Sequence, residues 1–142
     1  LGGDVAARRE GLVRALDRVR GAMEVGVRIL ARDTPATPAP DRSSGRAYME
    51  SLVRRTRQFD ADRQRGEAVA KELGDSLAGV IREQRVRALE SGVGLAAVAY
   101  LVPRHDISEC QRRVRTFAGT RPDLDFQISG PWPPYGFVDD GQ

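Results

Sequence analysis

Few residues of the chain have side chains suited to catalysis or metal binding. His105 and Cys110 are the single histidine and the single cysteine, and neither has oriented partners in a recognisable nucleophile arrangement. One histidine and one cysteine provide too few ligands for a structural zinc site, and one cysteine cannot form an internal disulfide. We therefore interpret His105 as a helix-entry residue and Cys110 as a core residue, and we expect no metal site and a reducing compartment.

The glycines and carboxylates form no recognisable cofactor or acid–base motif. Gly92 and Gly94 lack the rest of a dinucleotide-binding fingerprint, and no Walker lysine-serine pair is present. The carboxylates are scattered among arginines on predicted helix faces, and Asp139 and Asp140 stand at the end of the sequence. We therefore expect no cofactor, no catalytic residues and no enzymatic activity.

The most unusual segment is rich in aromatic residues and proline and lies near the end of the sequence. It reads Gly-Pro-Trp-Pro-Pro-Tyr-Gly-Phe-Val and includes the single tryptophan, Trp132. Because proline fixes φ at about −65°, the segment should be stiff and extended. It could be a strap over the domain's own core or a preorganised aromatic surface for a partner. We expect Trp132 and Phe137 to pack against the domain and Tyr135 to contact a partner.

Composition favours a single small domain with a mixed-charge surface. The chain has 142 residues, of which 40% are hydrophobic and 30% charged, enough for one modest core. No apolar run approaches the roughly 20 residues of a membrane span. Lys71 is the one lysine among 23 basic residues, and the 20 acids are interspersed with the arginines. This pattern favours a solvated surface over a nucleic-acid interface.

Hydrophobic periodicity predicts alternating helices and strands along the chain. The predicted elements are an amphipathic helix over 5–20, a half-buried strand over 23–30, a mobile surface loop over 32–45, a long or broken helix over 46–90, a central strand over 94–102, a helix over 106–118, a strand over 124–130 and a C-terminal strap over 130–142. A continuous helix over 46–90 would be too long for the domain, so it must protrude or break, with Gly66, Gly74 and Gly79 as candidate break points.

This order predicts an α+β, ferredoxin-like sheet with helices on one face. The long helical region is then an insertion between the two middle strands. If the opening helix is the first helix of the plan, one strand is missing and would precede Leu1. The chain also begins without methionine, so we interpret residues 1–142 as a single C-terminal domain of a longer protein.

The terminal segment closely resembles the C-terminal signature of the gas vesicle protein F/L family (GvpL/GvpF). The matching residues are Gly130, Pro131, Trp132, Pro133, Pro134, Tyr135, Phe137 and Val138. Three weaker stretches resemble the same family in the same order: 21–30 with its Met-Glu-x-Gly-Val core, 44–48 and 95–104. Ser129 and Gly136 depart from the family's usual threonine and serine.

The resemblance implies a cytosolic accessory protein of gas vesicle formation that binds the small hydrophobic shell protein GvpA. It also implies another α/β domain before this one. No catalytic residues are established for the family, so only the signature residues carry over, as partner-binding or structural residues: Trp132, Pro133, Pro134, Tyr135 and Phe137. The arginine-rich helical arm is then available to other gas vesicle accessory proteins.

Two other classes of function remain as alternatives. A basic ferredoxin-like module that binds nucleic acid would need aromatics beside arginines on the open face of the sheet. The strands over 23–30 and 124–130 supply only Phe126. An enzyme of the same fold would need a polar pocket, which the sequence does not indicate.

Overall fold

The computed structural model describes residues 2–32, 39–87 and 94–138, with side chains from residue 5 onward in the first range and up to residue 86 in the second. The helices are α1 (Gly2–Val19), α2 (Gly45–Ser76) and α3 (Ile107–Gly119). The strands are β1 (Ala22–Ala31), β2 (Glu83–Arg87), β3 (Gly94–Pro103) and β4 (Leu124–Trp132), and short 3-10 turns occupy Arg104–Asp106 and Tyr135–Phe137.

The four strands form one antiparallel sheet in the order β2-β3-β1-β4. Val27 of β1 pairs with Val98 of β3 on one side and Ile128 of β4 on the other. Starting from β1, the chain runs strand, helix, strand, strand, helix, strand, which is the ferredoxin-like plan. The predicted α+β class is confirmed, and β3 lies inside the sheet as its continuous apolar sequence indicated.

Strand β2 changes two details of the predicted plan. The helical region predicted over 46–90 ends at Ser76, and Gly79 follows with φ +89°, a backbone conformation that suits glycine. Glu83–Arg87 then pairs with β3 as a strand. The sheet therefore has all four strands of the plan, and the expected missing strand is wrong. Helix α2 is the first crossover helix of the plan, not an insertion, and α1 precedes it.

The main core lies between the sheet and helices α2 and α3. Alternate residues of β1 and β3 face it, because side chains alternate across a strand. The buried residues from the sheet include Val25, Val27, Ile29, Val98, Tyr100 and Val102; those from the helices include Val69, Leu73, Cys110 and Val114. Both crossover helices, α2 and α3, lie on this face.

A second, smaller core lies on the opposite face of the sheet. It contains Val19 from the end of α1, Ala22 and Leu101 from β1 and β3, and Phe137 from the turn after β4. Helix α1 therefore does not share a face with α2 and α3. The rest of α1 is largely exposed, including the apolar residues Leu12 and Leu16.

Helix α2 has 32 residues and would be roughly 48 Å long at about 1.5 Å per residue. Its C-terminal half packs on β3, where Gly66 allows close approach: a Cβ there would lie 2.1 Å from the Leu95 carbonyl oxygen. Its N-terminal half is mostly exposed. The helix thus both protrudes and ends earlier than residue 90. Within the described ranges, no helix is long and apolar enough to cross a membrane.

The predicted mobile loop can be compared with the structure only in part. Residues 39–44 contain neither helix nor strand, and residues 33–38 lie outside the described residues. The backbone N–H of Asp41 donates to Ser51 Oγ at 3.1 Å, and this contact fixes the end of the loop to one side of α2.

Candidate functional site at the terminal segment

The terminal segment, residues 130–138, begins in the last part of β4. The register between β1 and β4 shifts here, so that Ser129 pairs with Gly26 but Trp132 pairs with Glu24. Gly130 has φ +98°, and a Cβ on it would lie 2.7 Å from the Glu24 carbonyl oxygen. Only glycine suits this position on both counts. The Gly130–Pro131 peptide bond is cis.

The segment turns back toward the sheet directly after Trp132. The N–H of Tyr135 donates to the Pro133 carbonyl at 2.8 Å, and the N–H of Phe137 donates to the Pro134 carbonyl at 3.1 Å. The Phe137 bond and a bond from the Val138 N–H to the Tyr135 carbonyl at 3.3 Å form the 3-10 turn over Tyr135–Phe137. The prolines therefore lead into a compact turn, and the expectation of a fully extended segment is wrong.

Phe137 anchors the terminal segment in the smaller core. Its side chain is fully buried against the cluster that includes Val19 and Leu101. The guanidinium carbon of Arg85 lies 4.8 Å from the centre of its ring, within the range of a cation–π contact. This residue packs against the domain as the sequence predicted.

Two arginines hold the backbone of the same turn. Arg18 Nη2 donates to the Phe137 carbonyl at 2.6 Å, and Arg85 Nη1 donates to the Gly136 carbonyl. Arg18 also forms an ion pair with Glu83, with Nε and Oε2 3.4 Å apart. The turn is therefore joined to the end of α1 and to β2 by charged donors, which make stronger hydrogen bonds than neutral ones.

Sequence reasoning missed Arg18 and Arg85 as partners of the terminal segment. An arginine on an amphipathic helix is normally solvated, so nothing distinguished Arg18 from its neighbours. Arg85 lay in a region predicted to be helical. The available signal was the spacing of Glu83 and Arg85, which are two residues apart and therefore lie on the same face if the segment is a strand.

The remaining aromatics of the segment are exposed. Trp132 is 54% exposed and Tyr135 is 77% exposed. The prediction that Trp132 packs mainly against the domain is therefore wrong, whereas Phe137 lies in the smaller core. The five signature residues thus lie together, with one buried ring and two exposed rings joined by Pro133 and Pro134. Their part in partner binding stays a prediction.

The histidine and the cysteine lie where the sequence analysis placed them. His105 is in the 3-10 turn that enters α3, with Nε2 3.3 Å from Asp106 Oδ2. Cys110 is buried, and burial raises the pKa of its thiol to about 11. At neutral pH it is a thiol and a poor nucleophile. The described residues contain no group of three or more side chains that could hold a metal ion.

A cavity of about 390 Å³ lies between α2 and the β2–β3 edge of the sheet. Arg63, Glu67 and Lys71 line it from successive turns of α2. Gln84, Val86, Leu95 and Ala96 line the other side. The lining includes charged side chains but neither histidine nor cysteine, and no general base with an oriented partner is present among these seven residues.

The open face of the sheet provides no aromatic platform on its central strands. The residues of β1 and β3 on this face include Ala22, Glu24, Gly26, Arg28, Leu30, Ala97, Ala99 and Leu101. Phe126 instead packs edge-on against Phe117 of α3, with ring centres 5.7 Å apart and planes at 87°. The aromatic residue that the nucleic-acid hypothesis needed therefore lies on the helix-covered face.

Comparison with known proteins gives consistent matches over most of the chain. The family model described as "Gas vesicle synthesis protein GvpL/GvpF" matches residues 4–139. The "Gas vesicle protein L" of Streptomyces sp. (strain CB03234) is 32% identical, in an alignment that covers 89% of this chain and 52% of the relative. The chain therefore spans about half the length of that relative.

Two crystal structures share the fold. GvpF from Microcystis aeruginosa matches with a TM-score of 0.68 and 17% identity, over 95% of this chain and 62% of that chain. GvpF from Anabaena sp. PCC7120 matches with a TM-score of 0.62 and 15% identity, over 89% of this chain and 54% of that chain.

Proposed function

The chain belongs to the gas vesicle GvpL/GvpF family, and from this premise we propose that it binds the hydrophobic shell protein GvpA during gas vesicle assembly. Other gas vesicle accessory proteins are further proposed partners. The site of action is the cytoplasm and the growing vesicle. No catalytic step is part of the proposal, since the family is one of gas vesicle accessory proteins.

The observation that supports this proposal is the exposure of Trp132 at the end of β4 and of Tyr135 in the anchored turn that follows. Large aromatic side chains provide much contact area and lose little conformational entropy on binding. Phe137, Arg18 and Arg85 hold the turn in place before any partner arrives, and this lowers the entropy lost on binding. Two fixed, exposed aromatic rings are suited to binding a strongly apolar shell subunit.

A binding measurement with the shell protein tests the proposal. We expect Trp132→Ala combined with Tyr135→Ala to weaken GvpA binding at least tenfold, about 1.4 kcal/mol, while thermal unfolding stays nearly unchanged. Phe59→Ala is the matched control, because Phe59 is an aromatic residue of similar exposure on α2. It should bind GvpA like the unmodified chain.

The anchor residue gives a second, distinguishable result. We expect Phe137→Ala to lower the free energy of unfolding by about 3 to 5 kcal/mol, as other buried phenylalanine truncations do. The proposal fails if the Trp132 and Tyr135 double variant binds GvpA with undiminished affinity while remaining folded. Loss of binding with Phe59→Ala alone would instead place the contact on α2.

A further inference from the structure

The N-terminal half of α2 carries an apolar stripe that is largely exposed. Its members are Met49, Leu52, Val53, Thr56 and Phe59, spaced three or four residues apart like the contact positions of a coiled-coil helix. Met49 is 60% exposed and Phe59 is 48% exposed. We call these five residues the arm stripe. At about 1.5 Å per residue it extends over roughly 15 Å, close to three helical turns.

The rest of the domain contacts α2 at two other places. The end of the preceding loop binds Ser51, which lies about 140° around the helix from Thr56 at roughly 100° per residue. Farther along α2, the buried residue Leu73 faces the sheet from nearly the same side of the helix as Phe59, about 40° apart at roughly 100° per residue. The sheet meets only the C-terminal half of α2, so the arm stripe continues this side into a part of the helix that is mostly exposed among the described residues.

The charges around the arm stripe favour an acidic partner. The acids of this part of α2 already have partners within the helix: Glu50 binds Arg46 at 3.1 Å, Asp60 lies 3.7 Å from Arg63, and Asp62 accepts from Gln58 at 3.0 Å. Two arginines border the stripe on opposite sides, Arg55 and Arg57. Their positive charge is available to carboxylates of a helix packed along the stripe.

We propose that the arm stripe binds an acidic amphipathic helix of a partner protein, with Arg55 and Arg57 pairing with its flanking carboxylates. A second copy of this chain would bring the same arginines together, and this like-charge contact opposes self-pairing. This proposal is independent of GvpA binding by the terminal segment.

Two designed peptides test the charge and the apolar parts of the proposal together. Both are 21-residue amphipathic helices with leucine at the contact positions; one carries glutamate and the other lysine at the flanking positions. We expect the full chain to bind the glutamate peptide at least tenfold more tightly than the lysine peptide, measured by fluorescence anisotropy. Replacing both arginines with glutamate should reverse this preference.

The apolar part is tested with surface variants that keep the fold. Met49→Asp and Phe59→Asp should each weaken binding of the glutamate peptide at least tenfold and leave thermal unfolding nearly unchanged. Val5→Asp is the matched control, since Val5 is an exposed apolar residue on a different helix, and it should bind like the unmodified chain.

Three results would overturn the proposal. The first is equal affinity for the two peptides. The second is tighter binding to vesicles containing anionic phospholipid than to the glutamate peptide, with the same variants abolishing it. The third is a dimer in sedimentation equilibrium that Phe59→Asp dissociates, because a second copy would then occupy the stripe.

Discussion

The environment of Phe137 shows how several modest interactions fix one residue. Burying a phenylalanine side chain contributes about 1.5 to 3 kcal/mol, and the cation–π contact with Arg85 about 0.5 to 1 kcal/mol more. The hydrogen bond from Arg18 to the Phe137 carbonyl involves a charged donor, and such bonds contribute about 1.5 to 3 kcal/mol. Burial and the charged hydrogen bonds therefore contribute most to holding Phe137 in place. Tyr135 is not needed for this anchoring, so its exposed side chain can contact a partner.

Tyr100 gives a prediction at the residue scale. Its side chain is fully buried, and its hydroxyl has no hydrogen-bond partner among the described residues. Burial also raises the pKa of the phenol, so the hydroxyl stays protonated. Because a buried polar group without a partner costs stability, Tyr100→Phe should leave the free energy of unfolding unchanged or raise it by about 1 kcal/mol.

Urea unfolding of the Tyr100→Phe variant measures this effect. Tyr48→Phe, at a partly exposed tyrosine of α2, is the control and should change the free energy of unfolding by about 0.5 kcal/mol or less. A loss of more than about 1 kcal/mol in Tyr100→Phe would mean that the hydroxyl makes a hydrogen bond in the folded protein.

The contact between α2 and β3 leads to a prediction at the scale of elements. Gly66 lies where the helix meets the sheet, and an added methyl group would overlap the Leu95 carbonyl. Alanine favours the helix by about 1 kcal/mol over glycine, but overpacking typically costs about 1 to 3 kcal/mol. Since a backbone carbonyl cannot move aside like a flexible side chain, we expect Gly66→Ala to destabilise the domain in a thermal melt.

Gly11 of α1 provides the matched comparison. It also lies inside a helix, but no atom would contact an added Cβ within 4 Å. Gly11→Ala should therefore raise the free energy of unfolding by about 0.5 to 1 kcal/mol. If Gly66→Ala is as stabilising as Gly11→Ala, the close packing of α2 on β3 is not maintained in solution.

The elements that the sequence predicted well are those with one strong pattern. β3 is apolar on both faces and ends at Pro103, and α3 repeats buried residues at helical spacing through Cys110 and Val114. β2 was missed because Glu83 and Arg87 also match a helical ion pair, and five residues are too few for periodicity to decide. Its pairing with β3 is a nonlocal interaction that the local sequence does not contain.

The terminal segment could be predicted only in part for a similar reason. Its residue types indicated both packing and binding, and Phe137 packs as expected. Which ring would be buried depends on where the register shift at Gly130 directs the chain. That shift arises from pairing with β1, about 105 residues earlier in the sequence. The exposure of Trp132 therefore could not be deduced from the segment alone.

At the scale of the whole molecule, ion pairs join the long helix to the C-terminal half of the chain. Arg65 of α2 binds Asp123 with Nη2 and Oδ2 2.5 Å apart, and Arg121 binds Glu72 of α2. Arg113 of α3 donates to the Ala78 carbonyl at 3.0 Å, just beyond the end of α2. These contacts lie around the edge of the main core and supplement the apolar packing of α2 on the sheet.

The same charges predict that the domain loses stability in acid. Hydrogen bonds from Arg112 and Arg113 lower the pKa of Glu109 from 4.5 to about 2, and a hydrogen bond from Arg65 lowers the pKa of Asp123 below its usual value of 3.8. A carboxylate with a lowered pKa in the folded state stabilises that state above its unfolded pKa, and this stabilisation disappears as the pH falls through the folded pKa. We therefore expect the urea midpoint to be level above about pH 5 and to fall between about pH 4.5 and 2. The double variant Glu109→Gln, Asp123→Asn should show a smaller fall in the urea midpoint. The control Glu10→Gln, at an exposed glutamate of α1, should show the same fall as the unmodified chain. A double variant as acid-sensitive as the unmodified chain would contradict this assignment.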